Sequence, residues 1–311
     1  MNSVENQGFS ECSASFLNLG EFCELEEGQE NQHILRAIDL ARKPFHVMVT
    51  YLALTASSEA LQLGVVRNPQ GNNPDCRHEV GTDLCIEELD AHPCVHKANR
   101  VLNPERPKIS IIHLLDAHYI SVTDLAELMG LGVNATDEQL KVVAELHLDY
   151  MDLVEIIQRE NKLVLETIVK DLGITEICIE AAQEDMRRIN GALGKLRASE
   201  DYKGRREDEL LIGAAGQMLL EGKIDRLVPV DDAETRDRAQ SLMRVGRTEE
   251  ANAMQNKRET MVLRNMVKNG GGNQLLVFGG LHGFPDNIKC TFPACEYTTV
   301  KTNAYHEHGP K

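Results

Sequence analysis

Gln274-Leu-Leu-Val-Phe-Gly-Gly-Leu-His-Gly-Phe284 is the stretch on which the fold turns. Leu275 to Phe278 form an unbroken apolar run, with Asn and Gln before it and Gly after it. A short run of that kind between turn signals reads as a strand buried on both faces, as in a parallel sheet. Beyond it, Gly279 and Gly280 let the backbone turn sharply, and His282 brings a titratable imidazole to the strand end. Working outward, Lys108-Ile-Ser-Ile-Ile-His-Leu-Leu-Asp-Ala-His118 has the same form and ends in Asp116 and His118. Ligands of open α/β sheets bind beyond the carboxyl ends of the strands. Two such strands in one sheet are therefore expected to bring two histidines to one crevice.

The intervening chain alternates helical and strand signals. Ser121-Val-Thr-Asp124 reads as a capping box opening a helix through Met129, and Thr136-Asp-Glu-Gln139 as a second. From the second box, Leu140, Val143, Leu146, Leu148, Met151, Val154, Ile157 and Leu163 follow at helical spacing, as one long or broken helix, until Gly173 stops the run, with His147 as a packing residue. Ile174–Glu180 reads as a strand ending in an acid, and 181–206 as a charged helix with Glu184 to Arg188 on a solvated face. Residues 207–221 are helical and rich in small residues. Leu227–Val230 reads as a short strand ending in Asp231-Asp232, and 233–268 as helix carrying Arg258. This alternation predicts an α/β fold with a mostly parallel central sheet flanked by helices, its core domain spanning 107–290.

The flanks read differently. Residues 1–60 read as an N-terminal tail, polar and acidic over 1–30. Within it Arg42-Lys43-Pro44, the apolar run Phe45–Leu54 and Thr55-Ala-Ser-Ser58 match the three parts of a signal peptide, so 45–58 is a signal-like segment. It lies too far in for the start as given. The chain reads as cytoplasmic from that start, and as exported if translation begins just before 42–58. Residues 61–106 read as an irregular lead-in whose Cys76, His78, Cys85, His92, Cys94 and His96 lack zinc-site spacing. Residues 291–311 read as a C-terminal tail, and Cys290 with Cys295 can close a small loop in an oxidising compartment.

Composition narrows the partners. In 311 residues, 26% are charged and 42% hydrophobic, ordinary values for a globular chain. A formal charge of −16 with no basic cluster argues against nucleic acid and anionic membranes as partners. No apolar run is long enough for a transmembrane helix. The absence of a phosphate-cradling glycine loop argues against nucleotide chemistry, which leaves a small-molecule or peptide substrate.

In a parallel sheet the four strand ends carry Asp116/His118, Glu180, Asp231/Asp232 and His282 along one edge, with Arg258 on the preceding helix. Two imidazoles, carboxylates and a guanidinium suit general acid–base hydrolysis, with His118 or Glu180 as base and Arg258 stabilising an oxyanion. They also suit a divalent metal held by Asp116, His118 and His282 that activates water.

The succession His113-Leu-Leu-Asp-Ala-His118, Ile177-Cys-Ile-Glu180, Arg258-Glu-Thr-Met261 and Val277-Phe-Gly-Gly-Leu-His282 resembles the erythromycin esterase/ChaN/TraB/Tiki superfamily over about residues 107–285. In that superfamily a G-E-x-H-like strand end, an acid, an R-[DN]-x-x-M helix and a G-x-x-H strand end occur in this order. Gly279-Gly-Leu-His282 fits the last motif. Glu259 stands where Asp or Asn is usual, and Leu115-Asp116 where Gly-Glu is usual. The resemblance implies an EreA/ChaN-like α/β fold with these groups in one cleft. It implies an esterase or a metal-dependent peptidase, or instead a haem-binding protein of the ChaN type with Tyr119 or a histidine as axial ligand. A non-catalytic member of the fold is the remaining reading.

Overall fold

A computed structural model of the chain describes residues 86–309 except 106, 130, 132–134, 200, 270, 271 and 281. The tail 1–60, its signal-like segment, and the lead-in as far as Cys85 lie outside the described residues. At the centre is a six-stranded sheet of β1 (Val95–Leu102), β2 (Ile109–Asp116), β3 (Glu176–Ile179), β4 (Arg226–Pro229), β5 (Gly272–Gly279) and β6 (Cys295–Thr302), in the order β1-β6-β2-β5-β3-β4. All neighbours pair in parallel except β1, which runs antiparallel to β6 at one edge. The helices are α1 (Ile86–Asp90), α2 (Val122–Leu128), α3 (Asp137–Leu172), α4 (Met186–Ala198), α5 (Arg205–Leu220), α6 (Ala233–Arg244), α7 (Thr248–Asn269), α8 (Phe284–Thr291) and α9 (Asn303–His308).

Two apolar layers sandwich the sheet, and the period-2 pleat assigns alternate residues to each. Ile112, Leu114, Ile177, Leu275 and Val277 join Val164, Leu165 and Ile168 of α3, with residues of α4 and α5, in one layer. Ile111, Cys178, Leu276 and Phe278 join Val262, Leu263 and Met266 of α7 and Phe284 and Ile288 of α8 in the other. Continuous apolar runs are thus what a strand needs when helices cover both of its faces. Both capping boxes form, Ser121 with Asp124 and Thr136 with Gln139. The long periodic stretch is one 36-residue helix, and Gly173 ends it in a left-handed conformation at φ 62°.

Three expectations are corrected. The stretch 291–311 is not a tail, because β6 lies between β1 and β2 and α9 packs Ala304 and Tyr305 against Ile157 of α3. Glu296, Lys301 and three Thr residues break the apolar run, and the buried hydroxyls of Thr298 and Thr302 hide an interior strand from hydropathy. The end of the irregular lead-in, 95–102, is the edge strand β1. The helical stretch 233–268 is two helices, parted at Gly246 with φ 73°. Cys290 and Cys295 are both free thiols, one exposed on α8 and one buried in β6.

Candidate functional site

The sheet order sets the chemistry in a row. β2, β5, β3 and β4 are consecutive neighbours, so the residues after their carboxyl ends, His118, His282, Glu180 and Asp231, share one edge. Asp116 pairs with Gly279 across the β2–β5 ladder and Ile179 with Val277 across β5–β3, which brings these strand ends to a common level. Glu180 is the hub. Its Oε2 accepts the Gly279 backbone N–H at 2.7 Å and lies 2.6 Å from His118 Nε2. Its Oε1 accepts from Arg258 Nη2 at 2.7 Å and lies 3.7 Å from His282 Nε2.

Gly279 is required here by close approach. A Cβ on it would stand 3.1 Å from Glu180 Oε2, 3.2 Å from His118 Nε2 and 3.6 Å from His282 Cδ2. The sequence placed glycine at this position as a turn former, whereas its larger contribution is room for three functional side chains.

Arg258 reaches the hub from α7. Its Nε and Nη2 also donate to Asp231 Oδ1 and Oδ2, each at 2.7 Å, and its guanidinium lies over the Phe278 ring. Arg236 adds a further contact to Asp231 at 3.4 Å. The expected role of Arg258 as an oxyanion stabiliser is therefore replaced by another. It is a nearly buried tether whose charge is spent on Asp231 and Glu180 and whose effect is to fix Glu180. The second imidazole is held equally closely. His282 Nδ1 lies 2.7 Å from the Gln255 amide and 3.3 Å from Glu259 Oε1, and the ring packs edge-on against Phe278. Glu259 also accepts from the Gly283 N–H and the Asn287 side chain at the start of α8.

His118 differs from its partners in access. Its side chain is 42% exposed, against 7% for His282. Its Nε2 faces Glu180 at ion-pair distance, and its Nδ1 has no partner among the described residues. The Tyr150 hydroxyl donates to the His118 carbonyl, and His147 Nε2 donates to the Ile120 carbonyl at 2.8 Å, so α3 pins the loop that carries the ring. His147 is thus a packing residue, as read from the sequence.

The charges reinforce one another. Burial pulls the His118 pKa down, but the Glu180 carboxylate beside it more than reverses this and holds it at about 9. His282 is likewise raised, burial being outweighed by Glu180 and Glu259. For Glu180, burial alone would raise the pKa. The positive charges of His118 and Arg258 keep it well below the usual carboxylate range.

The expected metal set does not assemble. Among the described residues no group of three or more His, Cys, Asp or Glu side chains is placed to hold a metal ion. Asp116 is buried, its Oδ1 accepts from Asn161 at 2.8 Å, and burial pushes its pKa up. Glu180 favours the protonated forms of His118 and His282, so a metal ion would have to displace a proton from each ring. Tyr119, the expected haem ligand, is half-buried beside His147 and lines a separate cavity with charged walls. Burial raises its phenol pKa, which disfavours the phenolate that an iron ligand needs.

The sequence reading missed Tyr305, Gln255 and the part taken by Glu259. Tyr305 comes from α9, and its hydroxyl is buried against Gly280 without an aligned hydrogen-bond partner among the described residues. An unmet buried hydroxyl costs about 1–3 kcal/mol. Comparisons with protein-family models, with curated proteins and with solved structures found no match to this chain.

Proposed function

We propose that the cleft is a metal-independent acid–base centre of hydrolase type, acting on an ester or peptide bond. The observation that carries this reading is the His118–Glu180 pair. A buried carboxylate, fixed by Arg258 and a backbone N–H, grips one nitrogen of a half-exposed imidazole whose other nitrogen has no partner among the described residues. A carboxylate that orients a histidine and raises its basicity is how a general base is built. In the proposed step, His118 Nδ1 takes a proton from water as the water oxygen bonds to the substrate carbonyl carbon. The same proton then goes to the leaving group as its bond to that carbon breaks. His282 and Arg258 act through Glu180 as positioning residues.

The order of the four motifs, resembling that of the erythromycin esterase/ChaN/TraB/Tiki superfamily, supports the same reaction class. The Leu115-Asp116 departure bears less on it in this reading, because Asp116 takes no part in the step.

The test is hydrolysis of a panel of nitrophenyl esters and fluorogenic dipeptides across pH 6–10, with and without chelator. A base with a pKa near 9 is mostly protonated at neutral pH, so turnover should rise with pH and level above about 9. Chelator should have no effect. His118→Ala should lower the rate by about 10²–10⁴-fold, while costing less stability than loss of Glu180 does, because the ring is half-exposed and Glu180 keeps Arg258. His118→Gln provides a second variant of similar size. Turnover that falls through pH 9, or that survives in both variants, would remove His118 as the base.

A further inference from the structure

A second cavity lies beside the cleft, between α4, α5 and the ring of Tyr119. Its volume is about 320 Å³, within the range of small-molecule sites. Arg188, Gly191, Ala192 and Lys195 all line it. Their spacing of three, four and seven residues puts them on one helical face, and Arg187 joins through its i,i+4 relation to Gly191. Gly191 leaves the floor open, since a Cβ there would meet nothing within 4 Å.

The charges on these walls are unevenly met. Lys195 is committed to Asp208 at 3.0 Å, and Asp208 also accepts from the Tyr202 hydroxyl at 2.8 Å. Arg187 and Arg188 are exposed, and neither makes a hydrogen bond or ion pair among the described residues. Tyr119 Oη also lacks a partner there. Glu207, from the first turn of α5, lines the cavity without pairing to either arginine. In a chain of net charge −16, two guanidiniums and a phenol without hydrogen-bond partners among the described residues form a concentrated set of donors on one cavity. Guanidinium forks match carboxylate and phosphate oxygens bidentately.

We propose that this cavity binds a small anion, a carboxylate or a phosphate ester, through Arg187 and Arg188 with the Tyr119 hydroxyl as a third donor. Glu207 opposes the bound charge and limits its magnitude. This assignment stands independently of the acid–base reading, because binding is read without turnover.

The experiment is calorimetric titration of the full chain with inorganic phosphate and, separately, with succinate at low ionic strength. Saturable binding at one site is expected for at least one of them, and which one binds distinguishes a phosphate from a carboxylate ligand. Arg187→Gln/Arg188→Gln should weaken it at least about tenfold. Glu207→Gln should tighten it several-fold, and Arg197→Gln, on the same helix but outside the cavity, should leave it unchanged. Gly191→Leu fills the cavity without altering charge and should abolish binding. No saturable binding of either anion would overturn the proposal. So would equal weakening by Arg197→Gln, which would mean that only the general field of the helix is felt.

Discussion

His113 and His118 stand five residues apart, one in the middle of β2 and one just past its end, and they titrate in opposite directions. The His113 ring is buried between Phe278, Phe284 and Tyr297. Its Nε2 donates to the Phe278 carbonyl at 3.1 Å, which leaves Nδ1 to accept from the Tyr297 hydroxyl at 2.6 Å. Both partners suit a neutral ring, and burial drives the pKa down to about 4. His118 has a carboxylate for a neighbour and a pKa of about 9. The same side chain, five residues further along the chain, is thus a neutral strut in one place and a cation in the other. The difference lies in whether the neighbour is a dipole or a charge.

The largest effect that would break this comparison comes from Glu180→Gln. The substitution leaves Arg258 and two imidazoles facing an uncharged amide, and removing one partner of a buried ion pair costs about 3–5 kcal/mol. Denaturant unfolding should show that loss, and NMR titration should show the His118 pKa falling back toward its ordinary value. A His118 pKa that stays near 9 in this variant would mean that Glu180 is not its source.

Next in size is the acid limb of the stability curve. A His113 pKa depressed to about 4 in the folded protein contributes stability that is full above the unfolded value of about 6.5 and is lost as pH falls through 4. The amount is on the order of 3 kcal/mol. The contribution of His118 has the opposite sense, full below about 6.5 and lost as pH rises through about 9. Unfolding free energies measured between pH 4 and 7 should slope accordingly, and His113→Gln should flatten the slope. A slope unchanged in that variant would assign the acid sensitivity to other groups.

The smallest effect tests whether the surroundings of His118 are packed as tightly as those of His113. A Cβ on Gly280 would lie 2.1 Å from the Tyr305 hydroxyl oxygen and 2.7 Å from the ring carbon that bears it. Gly280→Ala should cost about 1–3 kcal/mol by overpacking. Adding Tyr305→Phe should recover only part, since the ring carbon remains in the way. A thermal midpoint unmoved by Gly280→Ala would show that the floor of the cleft yields.

The sequence made His118, Glu180 and His282 legible because each follows an unbroken apolar run, and a parallel sheet turns such runs into a row of strand ends. Arg258 was legible as a participant but not in its role. Nothing in Arg258-Glu-Thr-Met261 tells that Asp231 and Glu180 will neutralise its charge, since both partners arrive through tertiary contact. Asp116 misled for the same reason, because its neighbour Asn161 lies 45 residues away on a helix. Strand β6 escaped hydropathy because an interior strand can bury threonine hydroxyls, and with it went Tyr305 on the helix that follows.

The place of β6 has a consequence for how the protein comes into being. Thr299 bonds across the sheet to Asn99, 200 residues earlier, and β6 is an interior strand. A nascent chain leaving the ribosome with β1 to β5 complete has β1 without its neighbour and β2, interior in the finished sheet, open on one side. Such edges invite pairing with other chains. Synthesis of the last strand therefore joins the two halves of the sheet and delivers Tyr305 to the cleft together. Until then the chain depends on whatever shields those edges.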